Sequence, residues 1–148
     1  MKIMFSYMEK SMRKSPKKNK KKVLLDMSCS IIHHGHVRLI KKASRFGNLI
    51  ISLTTDRDLK KFKNIHPELN FSQRKEILLS IKYVKKVIPG NFILDQKFID
   101  KNNIDIVIQG SDYKKRKFKN KLVTFPRTKN ISSTMIRRLA KKNINRKK

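Results

Sequence analysis

Acidic residues are scarce in this sequence. Ten Asp and Glu stand against 39 Lys and Arg over 148 residues, a formal charge of +29. A field of that sign attracts polyanions and anionic small molecules and is screened by salt. Nucleic acid, anionic membranes and phosphorylated substrates are therefore all admissible partners. The excess also follows from a composition dominated by Lys, Asn and Ile, whose codons are rich in A and T, so charge alone selects none of them. Aromatic residues make up 7% of the chain and tryptophan is absent, which argues against a binder of single-stranded nucleic acid, where bases stack on interleaved aromatics. The single cysteine, Cys29, excludes an intrachain disulfide and a cysteine-based metal cage and suits a reducing compartment. The expected location is the cytoplasm. No apolar run approaches the roughly 20 residues that span a bilayer, and the long apolar segment of a secretory signal is missing too.

What is present is a folding pattern. The hydrophobic fraction is 38%, gathered into runs at 23–25, 49–53 and 104–108, which a wholly disordered chain lacks. The length fits one compact domain. Residues 1–22 differ from the rest. A short mixed apolar stretch leads into Arg13-Lys14-Ser15-Pro16-Lys17-Lys18-Asn19-Lys20-Lys21-Lys22, a run that repels itself and buries nothing, and it reads as a disordered basic tail. Such a tail serves as a solvated extension, an organellar or nuclear targeting segment, or an arm that binds polyanions without specificity. The folded domain is expected over 23–148.

Within that domain, strand and helix alternate. Strands are expected at 23–27, 49–54, 84–88 (stopped by Pro89-Gly90), 104–109 and 121–125. Helices are expected at 36–46, ended by Gly47, at 73–83 with Ser72 as N-cap, at 96–102 and at 132–142. Lys60, Lys61 and Lys63 fall in a stretch read as loop. The pattern implies an α/β fold, a Rossmann-like parallel sheet of about five strands with helices on both faces. Ligands of such sheets bind outside the carboxyl ends of the strands, where strand order reverses. The chemistry is thus sought after residues 23–27 and after residues 104–108.

After the first strand comes Ser28-Cys29-Ser30-Ile31-Ile32-His33-His34-Gly35-His36, running into a helix. Gly35 permits close backbone approach, and the helix N-terminus offers unpaired amides and a positive dipole end. His33 and His36, three residues apart, can both address one bound group, and phosphate suits imidazole donors, amides and dipole alike. Taken alone, three histidines in four residues equally make a polar turn or a weak metal site. Arg127-Thr128-Lys129-Asn130-Ile131-Ser132-Ser133-Thr134 offers N-caps, a second anion-binding helix start and an arginine able to grip phosphate bidentately. In isolation it is a capped helix with a basic neighbour. Gly110-Ser111-Asp112 follows the fourth strand, and Asp112 there suits a base, a ribose or an ammonium group, or simply a turn.

Together, in this order and spacing, these segments resemble the cytidylyltransferase-like nucleotidyltransferases, over residues 22–140. His33-His34-Gly35-His36 matches the family's His-x-Gly-His, and Arg127 with Ile131-Ser132-Ser133-Thr134 matches its Arg-Thr-x-Gly-Ile-Ser-Thr-Thr. Thr55-Asp56, Gln73-Arg74-Lys75 and Gly110-Ser111-Asp112 fall where the family has equivalents. The nearest likeness is to the glycerol-3-phosphate cytidylyltransferase branch and, through Asp26-Met27-Ser28, to the nucleotidyltransferase found fused to phosphoenolpyruvate mutase.

The resemblance implies attack by a substrate phosphate on the α-phosphorus of CTP, with release of pyrophosphate and with Mg²⁺ accompanying the triphosphate. It assigns charge stabilisation to His33 and His36, and neutralisation of the triphosphate to Lys63 and Lys61. Arg74, Ser28, Cys29 and Asp112 go to the nucleotide. Ser132, Ser133 and Thr134 go to the β and γ phosphates, with Arg127 nearby. It also implies a homodimer, and heptose-phosphate adenylyltransferases share the fold, so ATP stands as the alternative to CTP. Two positions depart from the family. Ser30 stands where an aspartate usually precedes the first histidine by three, and Asn130 replaces a glycine but tolerates positive φ. A different class, a basic nucleic-acid-binding protein on an inactive transferase scaffold, would account for both the charge and Ser30. A regulatory or assembly partner in a lipid or glycan pathway is the third alternative.

Overall fold

A computed structural model describes residues 20–111 and 116–146 of the chain. The basic segment at 1–19 and Asp112 lie outside the described residues. Five strands form one sheet: β1 (Lys22–Met27), β2 (Asn48–Thr54), β3 (Val84–Gly90), β4 (Ile106–Gly110) and β5 (Lys121–Phe125). Their order is β3-β2-β1-β4-β5, and every neighbouring pair is parallel. The helices are α1 (His34–Ala43), continued by a 3₁₀ turn (Ser44–Phe46), α2 (Asp56–Lys63), α3 (Phe71–Ser80), α4 (Gln96–Lys101) and α5 (Ser133–Asn145). Lys22, assigned by composition to the tail, opens β1: its N–H donates to Asp105 Oδ2 at 2.7 Å and its carbonyl accepts from Asp105 N.

Alternation along the strands sorts the core into two layers. On one face Val23, Leu25 and Met27 pack with Leu49, Ile51 and Leu53 under α1 (Ile40, Ala43) and α3 (Leu78). On the other, Leu24 and Val107 pack with Ile99 of α4. Asp26 shares this second face, paired in register with Ser52. Strand order turns at β1. The chain steps from β1 to β2 to β3 on one side and returns to place β4 and β5 on the other. A crevice opens at such a reversal, at the carboxyl ends of β1 and β4.

Four local expectations are corrected. The lysines read as loop belong to α2, capped by Thr55, whose hydroxyl accepts from Asp58 N, and ended by Asn64 in the left-handed region at φ 50°. Only Leu59 among its apolar residues is buried, so the segment carries no apolar stripe to announce a helix. α3 starts two residues earlier than Ser72 would set it. Asn70 Oδ1 accepts from Gln73 N, and Gln73 Oε1 accepts from Asn70 N, both at 3.0 Å, a reciprocal capping box. α3 also stops at Ser80. β3 runs through Pro89 and Gly90, paired with Leu53 and Thr54. It is an edge strand, where a missing N–H costs nothing on the open side, and a Cβ at residue 90 would lie 2.0 Å from Ser52 Oγ, so only glycine fits.

Candidate active site

The His33-His34-Gly35-His36 segment builds its own helix cap. His33 is the N-cap of α1. Its Nδ1 accepts from Gly35 N at 3.2 Å, while its own N–H donates to His36 Nδ1 at 3.3 Å. The spacing of three is thus a reciprocal cap made from imidazoles. With both Nδ1 atoms accepting, the ring proton of each histidine sits on Nε2. The rings stack with centroids 3.9 Å apart. A Cβ on Gly35 would meet His33 Cε1 and Nδ1 at 3.0 Å and Ile131 Cγ2 at 3.2 Å, so the ring position requires glycine. Burial, then the neighbouring His33, Arg127 and Lys63, lower the His36 pKa to about 3. Burial, then His34 and Arg127, lower that of His33. Both rings are neutral at pH 7 and act as N–H donors.

The second motif closes over the first. Asn130 adopts φ 60°, the left-handed conformation expected where glycine is usual. Ser132 caps α5, accepting from Met135 N at 3.1 Å. Ser133 Oγ donates to Ile31 O at 3.1 Å and so ties the start of α5 to the loop after β1, 102 residues away. The N-termini of α1 and α5 therefore border one cleft of about 340 Å³. Ser28, Cys29, Ser30, His33, His36, Lys63, Arg127, Ser132, Ser133 and Thr134 all line it, gathering most of the residues that the sequence singled out. Lys63, at the end of α2, donates from Nζ to Ser28 Oγ at 3.3 Å. Cys29 sits at φ 46°, and burial pushes its thiol up to about 12, so it lines the cleft as an inert group.

Two assigned residues take other places. Arg74 is fully buried and off the cleft wall. Its guanidinium donates to Leu69 O, Ser28 O, Thr54 O and Asp56 Oδ1 at 2.6 to 3.1 Å. Four of its five N–H donors go into fastening the ends of β1 and β2 to α2, which makes it a positioning residue. Lys61 lies on exposed α2 with Nζ 5.1 Å from the Phe62 ring centre, outside the cleft lining.

Four charged lining residues were given no site role by the sequence reading. Arg38 and Lys42 follow the motif at i, i+4 spacing along α1, and Arg137 follows Ser133 by four on α5; that periodicity was the available signal. Arg137 also pairs bidentately with Glu68 at 2.5 and 2.6 Å. The fourth, Asp26, is the only carboxylate among the described lining residues. It is 3% exposed, and its Oδ1 has no hydrogen-bond partner among the described residues. Burial raises its pKa to about 7, against the lowering effects of Ser52, Arg116 and Lys63.

Five cations, Arg38, Lys42, Lys63, Arg127 and Arg137, thus face a cleft bordered by two helix N-termini and two neutral imidazole donors at the sheet's topological switch. Backbone amides, dipoles and cations converging there suit a polyphosphate, and the site and fold are those of an α/β nucleotidyltransferase. The chain belongs to the cytidylyltransferase-like family, whose sequence model matches residues 28–139. It is 33% identical over 124 residues to the glycerol-3-phosphate cytidylyltransferase of Bacillus subtilis, covering 79% of this chain and 95% of that one. It is 32% identical to the ethanolamine-phosphate cytidylyltransferase of Dictyostelium discoideum over 67% of this chain and 28% of the relative. In fold it resembles the lipopolysaccharide core biosynthesis protein of Thermoplasma volcanium, with TM-score 0.66 at 19% identity over 74% of this chain and 98% of that one.

Proposed function

We propose that the chain transfers CMP from CTP to a phosphorylated small alcohol of the glycerol 3-phosphate kind, releasing pyrophosphate. The observation that carries this is the convergence of the α1 and α5 N-termini, with their cations, on one cleft. The N-terminal amides of α5, with Ser132, Ser133 and Thr134, hold the β and γ phosphates, and Arg127 neutralises them. That places the α-phosphate near the His33 and His36 Nε2–H donors, with Lys63 on the facing wall. An acceptor phosphate oxygen attacks the α-phosphorus, the bond to the β-phosphate oxygen breaks, and the charge on the transferring group is met by fixed donors. The neutral imidazoles donate hydrogen bonds and exchange no proton, and no covalent intermediate is needed. Similarity to the glycerol-3-phosphate cytidylyltransferase of Bacillus subtilis supports this choice of nucleotide and acceptor.

Mg²⁺ bound with the triphosphate would supply further charge neutralisation. The described residues contain no group of three His, Cys, Asp or Glu able to hold a metal, and Asp26 is their one cleft carboxylate. That donor set fits an ion carried chiefly on phosphate oxygens and water. The test is pyrophosphate release with Mg²⁺, using CTP or ATP against glycerol 3-phosphate, phosphoethanolamine, phosphocholine and sugar phosphates. Turnover with CTP and one alcohol phosphate, lowered at least about a hundredfold in His33→Ala and His36→Ala, is expected. Turnover only with ATP and a sugar phosphate would replace the reading by the adenylyltransferase one. Nucleotide binding without any turnover would mark an inactive scaffold.

A further inference from the structure

Among the described residues, α5 differs from the other α-helices, each of which buries at least one residue. It has no buried residue, and Met135, Leu139 and Ile144 are 40%, 54% and 63% exposed. At 100° per residue, Met135, Ile136, Leu139, Ala140 and Ile144 fall in one half of its circumference, with Asn143 the one polar residue near its centre. Arg138, Lys141 and Lys142 fall in the other half, where Arg137 is turned to the cleft and paired with Glu68, and the helix has no Asp or Glu. Ile136, Ala140 and Ile144 also wall an open groove of about 300 Å³ beside Ile31. The helix is 13 residues long, about 20 Å at 1.5 Å per residue. No helix among the described residues is long and apolar enough to cross a membrane.

Three kinds of partner could cover such a face, and charge separates them. A second copy of the chain would bring another +29 against the same cationic rim. A nucleic acid would satisfy the cations and leave the aliphatic half bare, since α5 contains no aromatic on which a base could stack. An anionic bilayer satisfies both halves at once. Acyl chains take the apolar stripe, and headgroup phosphates take the lysines and arginines, with the helix lying in the interface plane. We propose that α5 docks the protein on membranes rich in anionic lipid. The surface lies outside the transfer chemistry, and its test does not depend on the identity of the substrates.

The test is co-sedimentation of the full chain with phosphatidylcholine vesicles containing one third phosphatidylglycerol, and with pure phosphatidylcholine vesicles, at 0.15 M salt. Leu139→Ala/Ile144→Ala removes apolar area while keeping charge and helix propensity. Partitioning onto the anionic vesicles should fall at least tenfold, with the melting temperature unchanged. Arg138→Gln/Lys141→Gln/Lys142→Gln should lower it comparably. The chain has no tryptophan, so Leu139→Trp gives a single reporter whose emission should shift to the blue on anionic vesicles only. Wild-type partitioning in the Ala pair would assign vesicle binding to the basic segment at 1–22 and overturn the proposal. So would an absence of vesicle binding accompanied by a dimer that the Ala pair disperses, which would give the face to a second copy. Oligonucleotide binding lost in the Gln triple but kept in the Ala pair, without insertion of the Trp reporter, would overturn it in favour of nucleic acid.

Discussion

Replacing Asp26 by Asn removes a charge from the floor of the cleft without changing its shape, and the structure fixes how the effect must vary with pH. The carboxyl is 3% exposed, and burial carries its pKa from 3.8 to about 7. The folded chain therefore holds this proton over about three pH units in which the unfolded chain has released it. Its stabilising effect is fully present below about pH 4. It is lost as pH rises to 7, at ~1.4 kcal/mol per unit, or ~4 kcal/mol in all. His36 acts in the opposite sense. Its folded pKa is lowered to about 3, so its contribution is present above pH 6.5 and lost as pH falls toward 3. Between pH 4 and 6.5 the two slopes oppose each other, and the wild-type stability curve is correspondingly flat. The substitution exposes the histidine slope. Asp26→Asn should leave the chain about as stable as wild type near pH 4 and more stable by roughly 4 kcal/mol at pH 8. Urea denaturation of both proteins at half-unit intervals from pH 4 to 8 reads the difference directly. A stability difference independent of pH across that range would refute the burial argument for Asp26.

The same protonation states predict the rate profile. With His33 and His36 neutral, kcat should not decline between pH 6 and 8, whereas a mechanism needing imidazolium would lose activity about tenfold per unit above its pKa; initial rates of pyrophosphate release settle it. Removing either imidazole donor should lower kcat by about 10² to 10³ while costing only about 1 kcal/mol of helix capping, as measured by urea denaturation of His36→Ala. Arg74→Met leaves Asp56 Oδ1 and three carbonyls without this donor, while Asp56 Oδ2 still accepts from Phe71 N; a buried acceptor left unsatisfied costs about 1–3 kcal/mol, and a drop in the urea midpoint that ligand binding does not rescue is the expected result. Gly35→Ala pushes a methyl against the His33 ring at 3.0 Å, so kcat should fall with little loss of stability, and unchanged kinetics would show that the ring moves freely.

β1, β2 and β4 were legible as apolar runs that cross a buried sheet, and the alternation of strands with helices fixed the parallel topology. α2 was hidden, since Asp56-Arg57-Asp58-Leu59-Lys60-Lys61-Phe62-Lys63 holds two apolar residues in eight and is set by its Thr55 cap. Pro89 misled because a proline ends a central strand but not an edge strand. At the site, the two motifs were visible as helix starts, and the structure brings them together through Ser133 and Ile31. The role of Arg74 had no local signal: its acceptors lie 5 to 46 residues away. Asp26 reads as a polar interruption in β1. That its Oδ1 is unpartnered among the described residues depends on the packing of β2 and β4 around it.

Composition explains the charge of the surface but not its arrangement in the cleft. A chain with 39 basic residues can keep them on solvated rims, where like charges are screened within about a Debye length of 10 Å. Here Arg38, Lys42, Lys63, Arg127 and Arg137 instead line one concave wall, which gathers their mutual repulsion at a single site. The repulsion is read out by the histidines: Arg127 and Lys63 both lower the pKa of His36. Glu68, paired with Arg137, offsets part of it, and Asp26 beneath, its pKa raised to about 7 by burial, is only partly ionised near neutral pH. A polyanion seated in the wall relieves the repulsion that remains. The positive charge of the cleft is therefore a property of the site, set by the registration of α1, α2 and α5, and a triphosphate is the ligand that this registration favours.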